Sequence, residues 1–270
     1  MPIGTYNGVT WSSIASLAGV SRSSIATVNG VESYAPKSAV FDGSDYMSLT
    51  SSGPTGLAAS RVFTVSMWLK LDATGDGANN HIVSFYNNTT SARFIFARGT
   101  PNTFSCLASS NAGTQLINYS TASTFLGGAA WRHILLLGDS DSDANNKLYV
   151  NGSLVTFNKT TRTAGDIGFV SANAIYRVGA RGGTTIDSFL SGSLADLWID
   201  DTYLDDLSKF TSGGYPISLG ADGSLPKGGT KPAFYFSSNG SGDNWRIDSA
   251  NGNNMTVTGP LGTSPDVIHY

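Results

Sequence analysis

Between residues 38 and 206 apolar and polar side chains alternate in short runs, and each run begins or ends at Gly, Asn or Asp. In Phe63-Thr-Val-Ser-Met-Trp-Leu-Lys-Leu71, Phe63, Val65, Met67, Leu69 and Leu71 point one way. Thr64, Ser66, Trp68 and Lys70 point the other. A period of two belongs to a strand with one buried face; an amphipathic helix would repeat every ~3.6 residues. Further runs at 82–86, 93–97, 102–107, 115–119, 145–155, 175–179 and 193–200 predict more strands. Residues 134–137 are apolar on both faces, which predicts a central strand, and Asn151-Gly152 is a strong hairpin signal. Many short strands, each with one apolar face, must bury those faces against another layer.

Composition fits a chain of strands and turns. Charged residues make up 13% of the chain, against about 25% in an average domain, and polarity comes from Ser, Thr, Asn and 32 Gly. These residues supply turns and weaken helices. The net charge is −3 with no basic run, which excludes a broad electrostatic surface for nucleic acid or anionic membrane. No stretch reaches the ~18 apolar residues of a membrane span, so no membrane insertion is expected. The first residues, Met1-Pro-Ile-Gly-Thr-Tyr-Asn-Gly8, lack the basic and apolar regions of a signal peptide, so export by such a peptide is not expected. Cys106 is the only cysteine; alternating with Phe104, it reads as a small core residue.

Five phrases carry a family resemblance: Ala39-Val-Phe-Asp-Gly-Ser-Asp-Tyr-Met-Ser-Leu49, residues 63–71 above, Trp131-Arg-His-Ile-Leu-Leu-Leu137, Lys147-Leu-Tyr-Val-Asn-Gly-Ser-Leu-Val155 and Gly192-Ser-Leu-Ala-Asp-Leu-Trp-Ile199. Together they resemble a laminin-G-like, concanavalin-A-like jelly roll. The resemblance implies an all-β, two-sheet antiparallel sandwich over residues 36–212. Asp205-Asp-Leu-Ser-Lys-Phe210 is similar to the short helical turn that often follows the last strand of this family.

Residues 1–35 read differently. Asn7-Gly8-Val9, Ala18-Gly19-Val20 and Asn29-Gly30-Val31 recur every eleven residues. The intervening 12–17 and 23–28 each start at Ser and carry Ile14 and Leu17, or Ile25 and Val28, three residues apart. This predicts Ser-capped helical turns stopped by Gly, too short to stand alone and so docked on something else. The Ala-Gly-Val-Ser turn also resembles a lac-repressor-type helix-turn-helix, but Arg22 is the only cation before Lys37, too few to neutralise phosphates. The repeat is similar to units at the start of tailed-phage virion proteins, and residues 243–259 resemble their terminal segments. The resemblance implies a virion head or tail decoration, fibre or receptor-binding protein. Residues 1–35 would then be an assembly arm and 213–270 a C-terminal β tail. Its partners would be other virion proteins, further copies of itself as a homo-oligomer, and a host-surface glycan.

Candidate chemistry is sparse. Asp196 and Asp200 are about 13 Å apart along a strand, beyond the separation glycoside hydrolysis requires, and Glu32 is the only glutamate. They read as turn and edge aspartates, and no catalytic residue is expected. Asp139, Asp141 and Asp143 alternate in one loop and offer oxygen ligands that would suit calcium; no other cofactor is expected. His81, His133 and His269 lack zinc spacing. Ser238-Asn-Gly-Ser-Gly-Asp-Asn-Trp245 resembles a sialidase Asp-box with Gly240 in place of its Asp, a structural turn even there. Trp68, Tyr86, Tyr119 and Trp198 on predicted strands are the candidate stacking platforms for a pyranose ring.

Overall fold

The computed structural model describes residues 5–6, 9–10, 16–17, 20–21, 27–28, 31–32, 38–51, 53–87, 91–128, 130–183, 185–237 and 245–264. At the N-terminus Thr5–Tyr6 (β1) pairs with Val9–Thr10 (β2), Ser16–Leu17 (β3) with Val20–Ser21 (β4), and Thr27–Val28 (β5) with Val31–Glu32 (β6). Leu17 and Val28 are thus extended, where the sequence predicts helical turns. The described residues of each repeat pair as short antiparallel strands, and a single helical turn has too few hydrogen bonds to compete. Ile14 and Ile25 lie outside the described residues, as do 238–244 of the Asp-box-like phrase.

From residue 38 onward the chain forms two antiparallel sheets. The strands are Ser38–Asp42 (β7), Tyr46–Ser51 (β8), Val62–Leu71 (β9), Asn80–Asn87 (β10), Ser91–Gly99 (β11), Thr103–Ser109 (β12), Gln115–Thr121 (β13), Arg132–Asp139 (β14), Lys147–Val150 (β15), Ser153–Val155 (β16), Phe157–Arg162 (β17), Ala174–Val178 (β18), Arg181–Gly182 (β19), Ile186–Asp187 (β20), Ser191–Asp200 (β21), Thr211–Ser212 (β22), Tyr215–Pro216 (β23), Phe234–Phe236 (β24), Thr256–Thr258 (β25) and Gly262–Ser264 (β26). The first sheet has the order β17-β13-β12-β11-β10-β18-β8-β25. The second runs β16-β15-β14-β9-β21-β7-β26, with β24 also on β21. The small ribbons β19-β20 and β22-β23 stand apart. The protein is an all-β jelly-roll sandwich, and the helical segments among the described residues are single turns such as Leu207–Lys209, capped by Asp206.

Alternation builds the core between the sheets. Phe63, Val65, Met67, Leu69 and Leu71 enter it from the second sheet, and Phe85, Phe94, Phe96 and Tyr176 from the first. An edge-to-face contact joins the layers, Phe63 meeting Phe94 at 5.0 Å, and within the first sheet Phe85 meets its neighbour Tyr176 edge-on at 4.9 Å. Such pairs are worth about 0.5–1.5 kcal/mol beyond area burial. Cys106 is buried here, and burial raises its thiol pKa.

The outer face of the second sheet is also covered. Leu135, Leu137 and Trp198 point away from the main core and pack with Phe210, Leu219, Tyr235 and Ala250 from the chain beyond β21. This explains why residues 134–137 are apolar on both faces. It also corrects the reading of Asp196 and Asp200 as edge or turn residues: β21 is a central strand, and both are buried. Asp196 takes φ 48° at a bulge where the neighbour of β21 changes from β7 to β24. Its carboxylate accepts from Tyr235 Oη at 3.2 Å. Asp200 pairs with Lys227 at 2.8 Å and accepts from Ala233 N at 3.0 Å.

Candidate polar ledge on the outer face of the first sheet

β10, β18 and β8 run side by side in the first sheet. Val83, Phe85, Tyr176, Val178 and Met47 point into the core. The period of two then turns Ser84, Tyr86, Arg177, Ile175, Tyr46 and Ser48 outward. Register sets Arg177 between Ser84 and Ser48, and Ile175 between Tyr86 and Thr50. Farther along the same row Ile95, Leu107, Asn118 and Thr161 are partly exposed and form a low floor.

The chain leaving β18 folds back over one end of this face. Gly179 turns it with φ 89°, and a Cβ there would lie 2.5 Å from the Phe41 ring, so only glycine fits. Ser84 Oγ donates to Ala180 O at 2.8 Å, and His81 N donates to Ser188 O at 3.0 Å, tying the segment down. β19 and β20 pair above it as a ribbon, with Arg181 opposite Asp187.

Beneath the ribbon lies Arg177, 6% exposed. Its guanidinium rests on the Tyr46 ring at 5.7 Å, and Nη1 and Nη2 both donate to Gly183 O at 3.3 Å. Its Nε is buried with no hydrogen-bond partner, and no carboxylate pairs with it among the described residues. Phe189 lies 6.2 Å from Tyr46 and extends the aromatic surface. On the ribbon's exposed side Arg181 Nη2 contacts Asp187 Oδ2 at 2.6 Å. That contact holds the Asp187 carboxyl below its ordinary pKa.

His81 and Tyr86 complete the cluster. Burial lowers the His81 pKa to about 4; the Arg181 charge adds to this and Asp187 opposes it. Burial raises the Tyr86 phenol, which also lies in the field of Arg181, Asp187 and Arg177. At neutral pH the imidazole and the phenol are therefore uncharged, and His81 Nδ1 is buried without a partner. Among the described residues Asp187 is the one carboxylate whose charge reaches His81 or Tyr86. The arrangement offers rings, fixed donors and one ion pair. It lacks the two facing carboxyls that glycoside hydrolysis uses.

The aromatic residues singled out from sequence lie elsewhere, and burial corrects three of the four. Trp68 and Trp198 are 2% and 0% exposed. Trp68 packs on His133, while Trp198 meets Phe210 edge-on and donates Nε1–H to Gly223 O at 2.8 Å. Trp198 belongs to the outer cluster that the later chain covers, and Trp68 is buried in the main cluster. Tyr119 stacks on Phe157 and donates to Asp143 at 3.0 Å. Rings closed in this way have no face left for a sugar. Tyr86 alone belongs to the ledge, and it too is largely buried.

The three loop aspartates do not converge. Asp139 accepts from Asp141 N and Asn145 Nδ2, Asp141 pairs with Arg61 at 2.8 Å, and Asp143 pairs with Arg162 at 2.8 Å. Among the described residues no group of three His, Cys, Asp or Glu is placed to hold a metal ion. A hairpin loop rich in Asn and Arg neighbours has satisfied these carboxylates internally. The ledge residues Arg177, Arg181, Asp187, Tyr46 and His81 were missed in the sequence as binding residues. The available signal was Tyr176-Arg-Val-Gly-Ala-Arg-Gly-Gly183, an outward arginine followed by glycines and a second arginine.

The family described as the Concanavalin A-like lectin/glucanases superfamily matches residues 41–207, and the chain belongs to it. No curated protein matches the chain. Among solved structures it is similar to a candidate carbohydrate binding protein from Bacteroides ovatus, at 15% identity and TM-score 0.59, over 89% of this chain and 65% of that one. It is similar to the full extracellular region of zebrafish Gpr126/Adgrg6, at 12% identity and TM-score 0.55, over 87% and 27%. A heptameric SAP-like pentraxin from Limulus polyphemus matches at 20% identity and TM-score 0.46, over 63% and 77%. The chain thus spans less than two thirds of the first two of these, and at such identities the likeness is one of fold.

Proposed function

We propose that this protein is a non-catalytic, lectin-like module that binds carbohydrate on the ledge of its first sheet. The observation that carries the reading is the meeting of Tyr46, Tyr86 and Phe189 with Arg177, Arg181 and Asp187 on one outer face. Aromatic surface takes the apolar face of a sugar ring, and fixed donors and acceptors orient its hydroxyls. Membership of a family of lectins and glucanases supports a sugar as ligand. Hydrolysis has less support, because Asp187 is engaged by Arg181 and stands without a second carboxyl. A glycan array probed with the whole chain tests the proposal. Binding that Arg181→Ala weakens at least tenfold supports it, and an array with no bound glycan refutes it.

In its finer form the proposal makes the module a virion component of the tailed-phage type, displayed outward toward a host-surface glycan. The eleven-residue repeat of the first 35 residues supports this reading, with one small hairpin in each repeat. Two-stranded ribbons are marginal alone and require a partner surface, supplied here by other virion proteins or by further copies of the chain. Removing residues 1–35 is expected to leave a folded sandwich that no longer joins its oligomer or particle. An unchanged oligomeric mass by light scattering, with unchanged incorporation, would sink the arm assignment.

A further inference from the structure

We propose that the ledge selects an acidic glycan, one bearing a carboxylate or sulfate, with Arg177 and Arg181 as its charge-reading residues. The inference rests on the carbohydrate-binding reading above and names the ligand class. Its ground is a charge imbalance built into the site. Arg177, Arg181 and Asp187 are the charged groups that the cluster brings together, two positive and one negative. Asp187 engages Arg181 at 2.6 Å. Among the described residues Arg177 has a neutral carbonyl and the Tyr46 ring as its contacts, although it is 6% exposed and its Nε makes no hydrogen bond.

Folded proteins rarely leave a buried charge without a counter-charge, because the cost of removing it from water goes unrecovered. The chain has nonetheless kept a guanidinium here and shaped the ribbon around it. A Cβ on Gly182 would lie 2.0 Å from Arg177 Nη1, so the backbone passes directly over the cation because this residue is glycine. An anionic group resting against the ribbon would meet Arg181 at the surface and the field of Arg177 from below. A guanidinium suits carboxylate and sulfate oxygens by geometry as well as charge. His81 and Tyr86, uncharged at neutral pH, would add hydrogen bonds without opposing the anion.

The test is one glycan array bearing neutral, carboxylated and sulfated oligosaccharides, read with the whole chain at low and at raised salt. The expected result is binding confined to the acidic glycans, weakened by salt, and reduced at least tenfold by Arg181→Gln and by Arg177→Met. Carboxylated and sulfated spots separate the two sources of negative charge. Arg177→Met removes a charge that lacks a partner, so its melting temperature is expected to equal or exceed that of the parent. Should it fail to fold, Arg181→Gln, on an exposed side chain, decides alone. Binding to neutral glycans as strong as to acidic ones overturns the charge selection and leaves the carbohydrate reading standing. No binding to any glycan overturns both.

Discussion

Single positions decide much of what this sandwich can tolerate. Gly138 sits in β14 facing Phe63, and a Cβ there would lie 2.0 Å from the ring. Gly138→Ala is therefore expected to lower stability by about 1–3 kcal/mol, the usual cost of overpacking, as read from urea denaturation. His81 gives the fold a pH dependence. Its folded pKa of about 4 lies below the ordinary 6.5, so between those values the unfolded chain binds a proton that the folded chain does not. Stability is thus fully present above pH 6.5 and falls as pH drops toward 4, by on the order of 3 kcal/mol for this group. A melting curve measured from pH 7 to 4.5 should show the fall, and His81→Gln should flatten part of it. The loop aspartates give the opposite kind of prediction. Because Arg61, Arg162 and Asn145 already engage them, millimolar calcium is expected to leave the melting temperature unchanged.

At the scale of elements, legibility depended on where the partner of each residue lies. The strand around 63–71 could be read because its alternation is local and appears as β9. Asn151-Gly152 could be read because a two-residue turn needs left-handed backbone, and Asn151 and Gly152 take φ 51° and 78°. The N-terminal repeat misled in type although its period was correct: Ser before and Gly after mark a helical turn or a hairpin alike, and Leu17 and Val28 proved extended. The bulge in β21 was invisible, since it answers to a change of neighbouring strand. Asp196→Val places a β-branched residue at φ 48° and loses the bond from Tyr235. It is expected to cost about 1–3 kcal/mol or more, measured by denaturant titration.

For the whole molecule, the decisive feature is the third layer. Residues 203–237 and 245–250 cover the outer face of the second sheet, through Phe210, Leu219, Tyr235 and Ala250 on Leu135, Leu137 and Trp198. A chain ended at residue 200 would lose this cover and expose a large apolar patch, so it is expected to aggregate on expression. Trp198→Ala in the full chain is expected to cost about 3–5 kcal/mol by thermal or urea unfolding. The same layer assigns the two faces different roles. Among the described residues one sheet is covered on its outside and the other carries the ledge.

The sequence alone determined the class of this protein. Alternation, turn residues and a glycine-rich, charge-poor composition act between near neighbours and led to an all-β chain, while the resemblance of five short phrases implied the two-sheet sandwich and its family. Which face meets water was decided only in three dimensions. Trp68, Trp198 and Tyr119 look in sequence like sugar platforms, and they are buried because distant segments lie over them. Arg177, Arg181 and Asp187 look like ordinary surface charges, and a ribbon folding back across β10 and β18 gathers them. Period and turn propensity are properties of a few consecutive residues. Burial and charge pairing are properties of contacts between residues far apart in the chain, and no local pattern encodes them.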